Sequence, residues 1–146
     1  MNQIQNTLLI IDEAQAMRKD TVEEIRLLLN FQLNDSFLIT LILIGQPEFK
    51  DIVRELSQFD QRIAIRYHLN ALSFEDTAKY ILFRLQKAAQ TGRVFTDQAI
   101  EEIFDYSQGV PRKINGVCDM ALFVGAGSKV KLVDVEIVRQ VIRDSL

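Results

Sequence analysis

The feature that most constrains this chain is a change of pattern near its middle. Every run able to form a strand lies before Ala71, and from Ser73 onward the apolar residues recur at helical spacing. Leu8–Ile11 and Phe37–Ile44 are continuous apolar runs of strand length, and Ile63–Leu69 is a weaker, alternating one. FLITLILI is apolar on both faces and rich in branched side chains, so the expectation is a strand inside a parallel sheet with helices on either side. Between the first two runs, Thr21-Val22-Glu23-Glu24 reads as a capping box opening a helix whose apolar face is Ile25, Leu28 and Leu29. After the second run, Gly45-Gln46-Pro47-Glu48 turns the chain, with Pro47 suited to a first helical position and Glu48 and Asp51 to the positive helix start. Strand, helix, strand, helix, strand is half of a doubly wound α/β sheet.

The second half reads as four helices. Ser73 caps one bearing Ala78, Ile81, Leu82 and Leu85, and Gly92 ends it. Thr96 opens another with Ile100, Ile103 and Phe104, stopping at Gly109. Pro111 starts a third with Ile114, Val117, Cys118, Ala121 and Leu122, and the last begins near Asp134 with Ile137, Val138, Val141 and Ile142. The boundary expected from this reading separates residues 1–71, an α/β unit, from 72–146, an all-α unit.

Asp12 and Glu13 follow the first strand directly, which would place two carboxylates at the C-terminal edge of a sheet, where open α/β folds bind ligands. In phosphoryl transfer one such acid holds Mg²⁺ and its neighbour polarises the attacking water. An Asp-Glu pair by itself describes a solvated strand end just as well. His68 has no second His or Cys near it in sequence, so packing is expected of it in place of metal binding, and Cys118 falls on the apolar side of its helix.

Four segments in fixed order supply context. LLIIDEAQ resembles the Walker B segment of AAA+ ATPases, and LILIGQPEF resembles the sensor 1 strand end of secretion ATPases of the general secretion pathway protein A type. QRIAIRYHLNAL is similar to the arginine-finger strand of that family, and GVPRKINGVCDMAL to its sensor 2 helix. The likeness runs from about Leu8 to Ile142. It implies the C-terminal part of a P-loop AAA+ core followed by a helical lid. It also implies ATP and Mg²⁺ as cofactors, with Asp12 on the metal, Glu13 as the water-polarising base and Gln46 holding water or the γ-phosphate. Arg112 would reach the γ-phosphate from the lid; the alternative for Gln46 is a solvent-facing turn, and for Arg112 an exposed arginine opposing the helix dipole. Arg62 and Arg66 are candidates for a finger acting in a neighbouring subunit, Arg62 preferred because it precedes the strand, whereas Arg66 reads equally as a strand-edge surface charge.

The resemblance further implies a homo-oligomeric motor at the cytoplasmic face of the inner membrane. It would work with other secretion-pathway membrane proteins, and with peptidoglycan only through regions outside these residues. No G-x-x-x-x-G-K-[S/T] loop occurs in the 146 residues, so the chain alone is expected to bind ATP weakly or not at all and not to hydrolyse it. In the family a first strand lies between the sensor 1 and arginine-finger strands. Without it, Ile63–Leu69 is expected either to close onto the sensor 1 strand or to leave a gap for a second chain.

Charge argues against nucleic acid as a partner: seven basic and ten acidic residues fall in 1–72 and ten of each in 73–146, with no basic stripe. A DNA-loading transposition ATPase of the same core is therefore the second choice, and a nucleotide-independent interaction module the third. A two-metal nuclease lacks further acids at the other strand ends. One cysteine excludes a disulfide framework, no apolar run reaches membrane-helix length, and Met1–Asn6 shows no basic leader.

Overall fold

The computed structural model describes residues 7–30, 32–33, 36–88 and 92–144. It divides into two compact units, Met1–Tyr67 and His68–Leu146. The expected reading of Met1–Asn6 lies outside the described residues.

In the first unit, β1 (Thr7–Ile11) pairs in parallel with β4 (Ile39–Leu43), from Thr7 opposite Ile39 to Ile11 opposite Leu43. A parallel neighbour requires a crossover, and α1 (Lys19–Leu28) supplies it. Between α1 and β4 lie two short strands, β2 (Gln32–Leu33) and β3 (Ser36–Phe37), paired antiparallel. Phe37 thus belongs to this hairpin, and the expected long strand shortens to Ile39–Leu43.

The parallel pairing of the two apolar runs is as expected; their burial is not. Leu8 and Ile10 are more than half exposed, and along β4 half-buried Ile39, Leu41 and Leu43 alternate with exposed Thr40 and Ile42. Among the described residues the sheet has two strands and covers little of itself: Leu9 is exposed along with Leu8 and Ile10, and Ile11 is half-buried. Leu43 packs on a small core of Val22, Val53 and Phe59, together with Met17, Phe49, Leu56 and Ile63.

Helix α1 begins three residues earlier than the Thr21 box implies. Arg18 is its cap residue, its carbonyl accepting from the Val22 N–H at 3.1 Å, and Asp20 lies in the first turn. Starting there turns Val22 and Ile25 into the core and leaves Leu28 exposed. Pro47 sits in a turn, with α2 (Phe49–Glu55) beginning beyond it, followed by the single turn α3 (Ser57–Asp60).

Ile63–Leu69 forms no strand. Branched and aromatic residues favour extended backbone, but a strand exists only when its N–H and C=O groups find a neighbour, and β4 pairs with β1 alone among the described residues. Closure of this segment onto β4 is therefore not what occurs. Ile65, Tyr67 and Leu69 are 86%, 86% and 81% exposed. His68, expected to pack, is exposed as well.

The second unit follows the sequence closely. Helices α4 (Phe74–Lys87), α5 (Asp97–Ser107), α6 (Pro111–Gly127) and α7 (Val135–Asp144) surround one core of Ile81, Phe95, Ala99, Ile103, Ile114, Val117, Cys118, Ala121, Val133, Val138 and Val141. The Ser73 hydroxyl accepts from the Asp76 N–H and the Thr96 hydroxyl from the Ala99 N–H, both at 3.1 Å. Asp134 Oδ1 accepts from Glu136 and Ile137. Each satisfies backbone donors that the first helical turn leaves open. Helix α4 ends at Lys87, before Gly92 is reached, with Ala88 as the cap residue. A parallel bridge between Phe95 and Val133 joins the approaches to α5 and α7. Among the described residues no helix is long and apolar enough to cross a membrane.

Candidate active site

The ladder between β1 and β4 does not stop where the strands do. Ile44 N–H donates to the Ile11 carbonyl and Ala14 N–H to the Ile44 carbonyl, each at 2.9 Å. Ala14 is fully buried, and from it the chain makes a 3₁₀ turn, Ala14–Ala16. Reaching that turn from β1 forces Glu13 into the left-handed region, φ 55° and ψ 38°, a conformation that costs a residue with a Cβ about 1–2 kcal/mol.

Asp12 and Glu13 are thus held by backbone on both sides, and both are exposed. Asp12 Oδ1 accepts from the Glu13 N–H at 2.8 Å, and no described residue bonds Asp12 Oδ2. Gln15 Nε2 donates to Glu13 Oε2, and Gln15 Oε1 accepts from the Gln46 N–H at 3.0 Å. The structure therefore joins Glu13 and Gln46 through a residue the sequence reading passed over, although it stands inside the LLIIDEAQ segment. Gly45 permits the approach: a Cβ there would stand 3.1 Å from Gln15 Oε1 and 3.2 Å from Phe49 Cβ.

Gln46 is exposed, and its carbonyl accepts from the Phe49 N–H at 2.9 Å. Arg62 lies exposed just after α3, with its N–H donating to the Phe59 carbonyl at 3.0 Å. Arg66 folds back instead: Nη2 donates to both the carbonyl and Oδ1 of Asp60 at 2.7 Å. Arg112 belongs to the second unit, where it is the second residue of α6, exposed, in a first turn without acidic residues.

The donor chemistry at Asp12 fits a hard divalent cation. Mg²⁺ takes one or two protein carboxylates and completes its shell with phosphate oxygens and water, and Asp12 keeps one carboxylate oxygen available. A closed protein cage for a metal is absent among the described residues, where no three His, Cys, Asp or Glu side chains cluster.

Comparisons with known proteins bear on the family and the fold. The AAA domain family matches residues 1–53. General secretion pathway protein A of Aeromonas hydrophila is 41% identical over 118 residues, 80% of this chain, and the chain spans 22% of that relative's length. Among solved structures, a mutant of Thermotoga maritima RuvB superposes with a TM-score of 0.64 at 12% identity, over 94% of this chain and 53% of that one. The Thermotoga maritima RuvB Holliday junction branch migration motor gives 0.55 at 12% identity, over 94% and 52%. At that identity the RuvB likeness speaks to fold alone.

Proposed function

We infer the function from the premise that the chain belongs to the AAA ATPases and is related over most of its length to general secretion pathway protein A: it carries the acidic, water-activating side of an ATP hydrolysis site. The observation that supports this most is the tether from Glu13 through Gln15 to Gln46, which brings the Walker B and sensor 1 segments to one end of the β1–β4 pair. Asp12 would hold Mg²⁺ together with the phosphates of ATP, and the bound cation would neutralise charge developing on them. Glu13 accepts the proton of the attacking water, and Gln46 orients that water or the γ-phosphate.

Arg112, in the helical unit, is the residue proposed to contribute positive charge to the γ-phosphate. Between the finger candidates we prefer Arg62, because Arg66 is engaged with Asp60 whereas Arg62 shows no side-chain partner among the described residues. The protein acts as a homo-oligomer at the cytoplasmic face of the inner membrane. It works with other membrane proteins of a secretion pathway and uses hydrolysis to assist assembly of the secretion system. These 146 residues contain no glycine-rich lysine loop, and alone they are proposed to bind ATP·Mg²⁺ weakly or not at all and not to turn it over.

Calorimetric titration with ATP and Mg²⁺ tests the assignment. Weak binding that requires Mg²⁺ and is lost in Asp12→Asn supports it; binding indifferent to Mg²⁺ and to that substitution overturns it. In a chain that also carries a phosphate-binding loop, Glu13→Gln is expected to lower turnover by about 10²- to 10⁴-fold while nucleotide binding persists.

A further inference from the structure

The side chain of Gln15 is used at both ends, and chemistry allows only one orientation. A backbone N–H can only donate and an ionised carboxylate can only accept, so Oε1 must face the Gln46 N–H and Nε2 must face Glu13. Turned over, the amide would set donor against donor and acceptor against acceptor. Gln15 is half-buried and anchored by the 3₁₀ turn, whereas both groups it touches are exposed. The amide is thus the fixed member between two that solvent would otherwise leave loose. The missing Cβ of Gly45 makes room for it, since an added methyl would crowd both Gln15 Oε1 at 3.1 Å and the Gln15 backbone nitrogen at 3.3 Å.

We propose that Gln15 is a positioning residue that couples the end of β4 to the Glu13 carboxylate. Glu13 sits in a left-handed backbone conformation at an exposed corner, and its side chain has several rotatable bonds. Without a donor on Oε2 the carboxylate is free to turn toward bulk water. With Gln15 in place its direction is set, and it is set relative to Gln46. A movement of the Gln46 backbone withdraws the hydrogen bond on Gln15 Oε1, releases the amide and so changes what Glu13 meets. Two groups beyond the ends of different strands thereby respond as one, through a single side chain.

The catalytic meaning of this coupling rests on Glu13 being the base, as proposed above; the coupling itself is measurable without hydrolysis. In two-dimensional amide NMR of the chain, Glu13→Ala is expected to shift the Gln15 side-chain amide and the Gln46 backbone amide together. In a Gln15→Met background the same Glu13→Ala change is expected to leave Gln46 unmoved. Gln15→Met alone moves the Gln46 amide proton upfield and speeds its solvent exchange by roughly tenfold, the loss of one modest hydrogen bond. Gln15→Glu separates the halves: it keeps an acceptor for the Gln46 N–H, so protection there is retained, but offers no donor to Glu13, so the response to Glu13→Ala disappears. Gly45→Ala, which leaves Gln15 chemically intact, is expected to shift both resonances by displacing the amide.

If Gln46 responds to Glu13→Ala equally with and without the Gln15 amide, the proposal is overturned. Should the coupling hold while Glu13→Gln leaves ATP turnover of the natural protein unchanged, the base assignment fails and the coupling stands.

Discussion

The Leu72 N–H donates to the Gly109 carbonyl at 2.9 Å, and the Gly109 α-carbon approaches so closely that a Cβ on it would lie 1.9 Å from the Leu72 carbonyl oxygen. Gly109 also has φ +72°, so two independent constraints demand glycine between α5 and α6. Gly109→Ala is expected to destabilise the helical unit by about 2–5 kcal/mol, from left-handed strain plus displacement of the segment before α4. Gly116, inside α6 with open space for 4 Å around the place a methyl would take, supplies the contrast. Gly116→Ala is expected to stabilise by about 0.5–1 kcal/mol. Urea midpoints of the two variants, read by circular dichroism, should move in opposite directions.

Ser73→Ala and Thr96→Ala each remove a hydroxyl that accepts from a backbone N–H of the first helical turn. Each is expected to cost about 1 kcal/mol. Glycine at the same positions should cost only a few tenths, a difference visible in paired thermal melts.

Ile103 is fully buried in the second core and Phe123, on α6, is 76% exposed. Ile103→Ala should lose about 2–5 kcal/mol, whereas Phe123→Ser should stay within about 0.5 kcal/mol of the parent. Equal losses in chemical denaturation would mean that Phe123 is covered in solution.

Burial pushes the Cys118 thiol from an ordinary 9.0 up to about 12, reinforced by the neighbouring Asp119 carboxylate and opposed by Arg84. The folded state therefore holds this proton more tightly than the unfolded chain does. The stability it contributes is complete below pH 9 and falls between pH 9 and about 12, by the order of 1.4 kcal/mol per unit. Cys118→Ala should flatten that part of the stability profile. A thiol reagent at pH 8 should label the native chain far more slowly than the chain in denaturant.

The helical unit was legible because its signals are local. Ser73, Thr96, Pro111 and Asp134 each act on the turn they begin, and the apolar spacing after each selects one face of one helix. The α/β unit was less so, because strands depend on partners distant in sequence. LLII and ITLIL find one another and form a ladder, whereas Ile63–Leu69, with comparable preference, pairs with nothing described and remains irregular. Capping at Thr21 failed for a related reason: packing of Val22 against Val53 and Phe59 favours a helix starting earlier than the box suggests.

At the site, the positions of Asp12, Glu13 and Gln46 beyond two strands could be read directly. The part played by Gln15 could not, since it depends on a left-handed turn at Glu13, and a glutamate there gives no local cue for one. The pairing of Arg66 with Asp60 was equally hidden, because it requires the chain to double back after α3.

The left-handed corner at residue 13 sets two demands that no single amino acid meets. Its backbone is suited to glycine or asparagine, while the role proposed for it asks for a carboxylate on a flexible stem. Glu13→Gly should accordingly yield a sturdier chain that lacks the proposed water-activating carboxylate. Thermostability screens of this protein would favour that substitution, and ranking variants by melting temperature alone would discard the proposed base first.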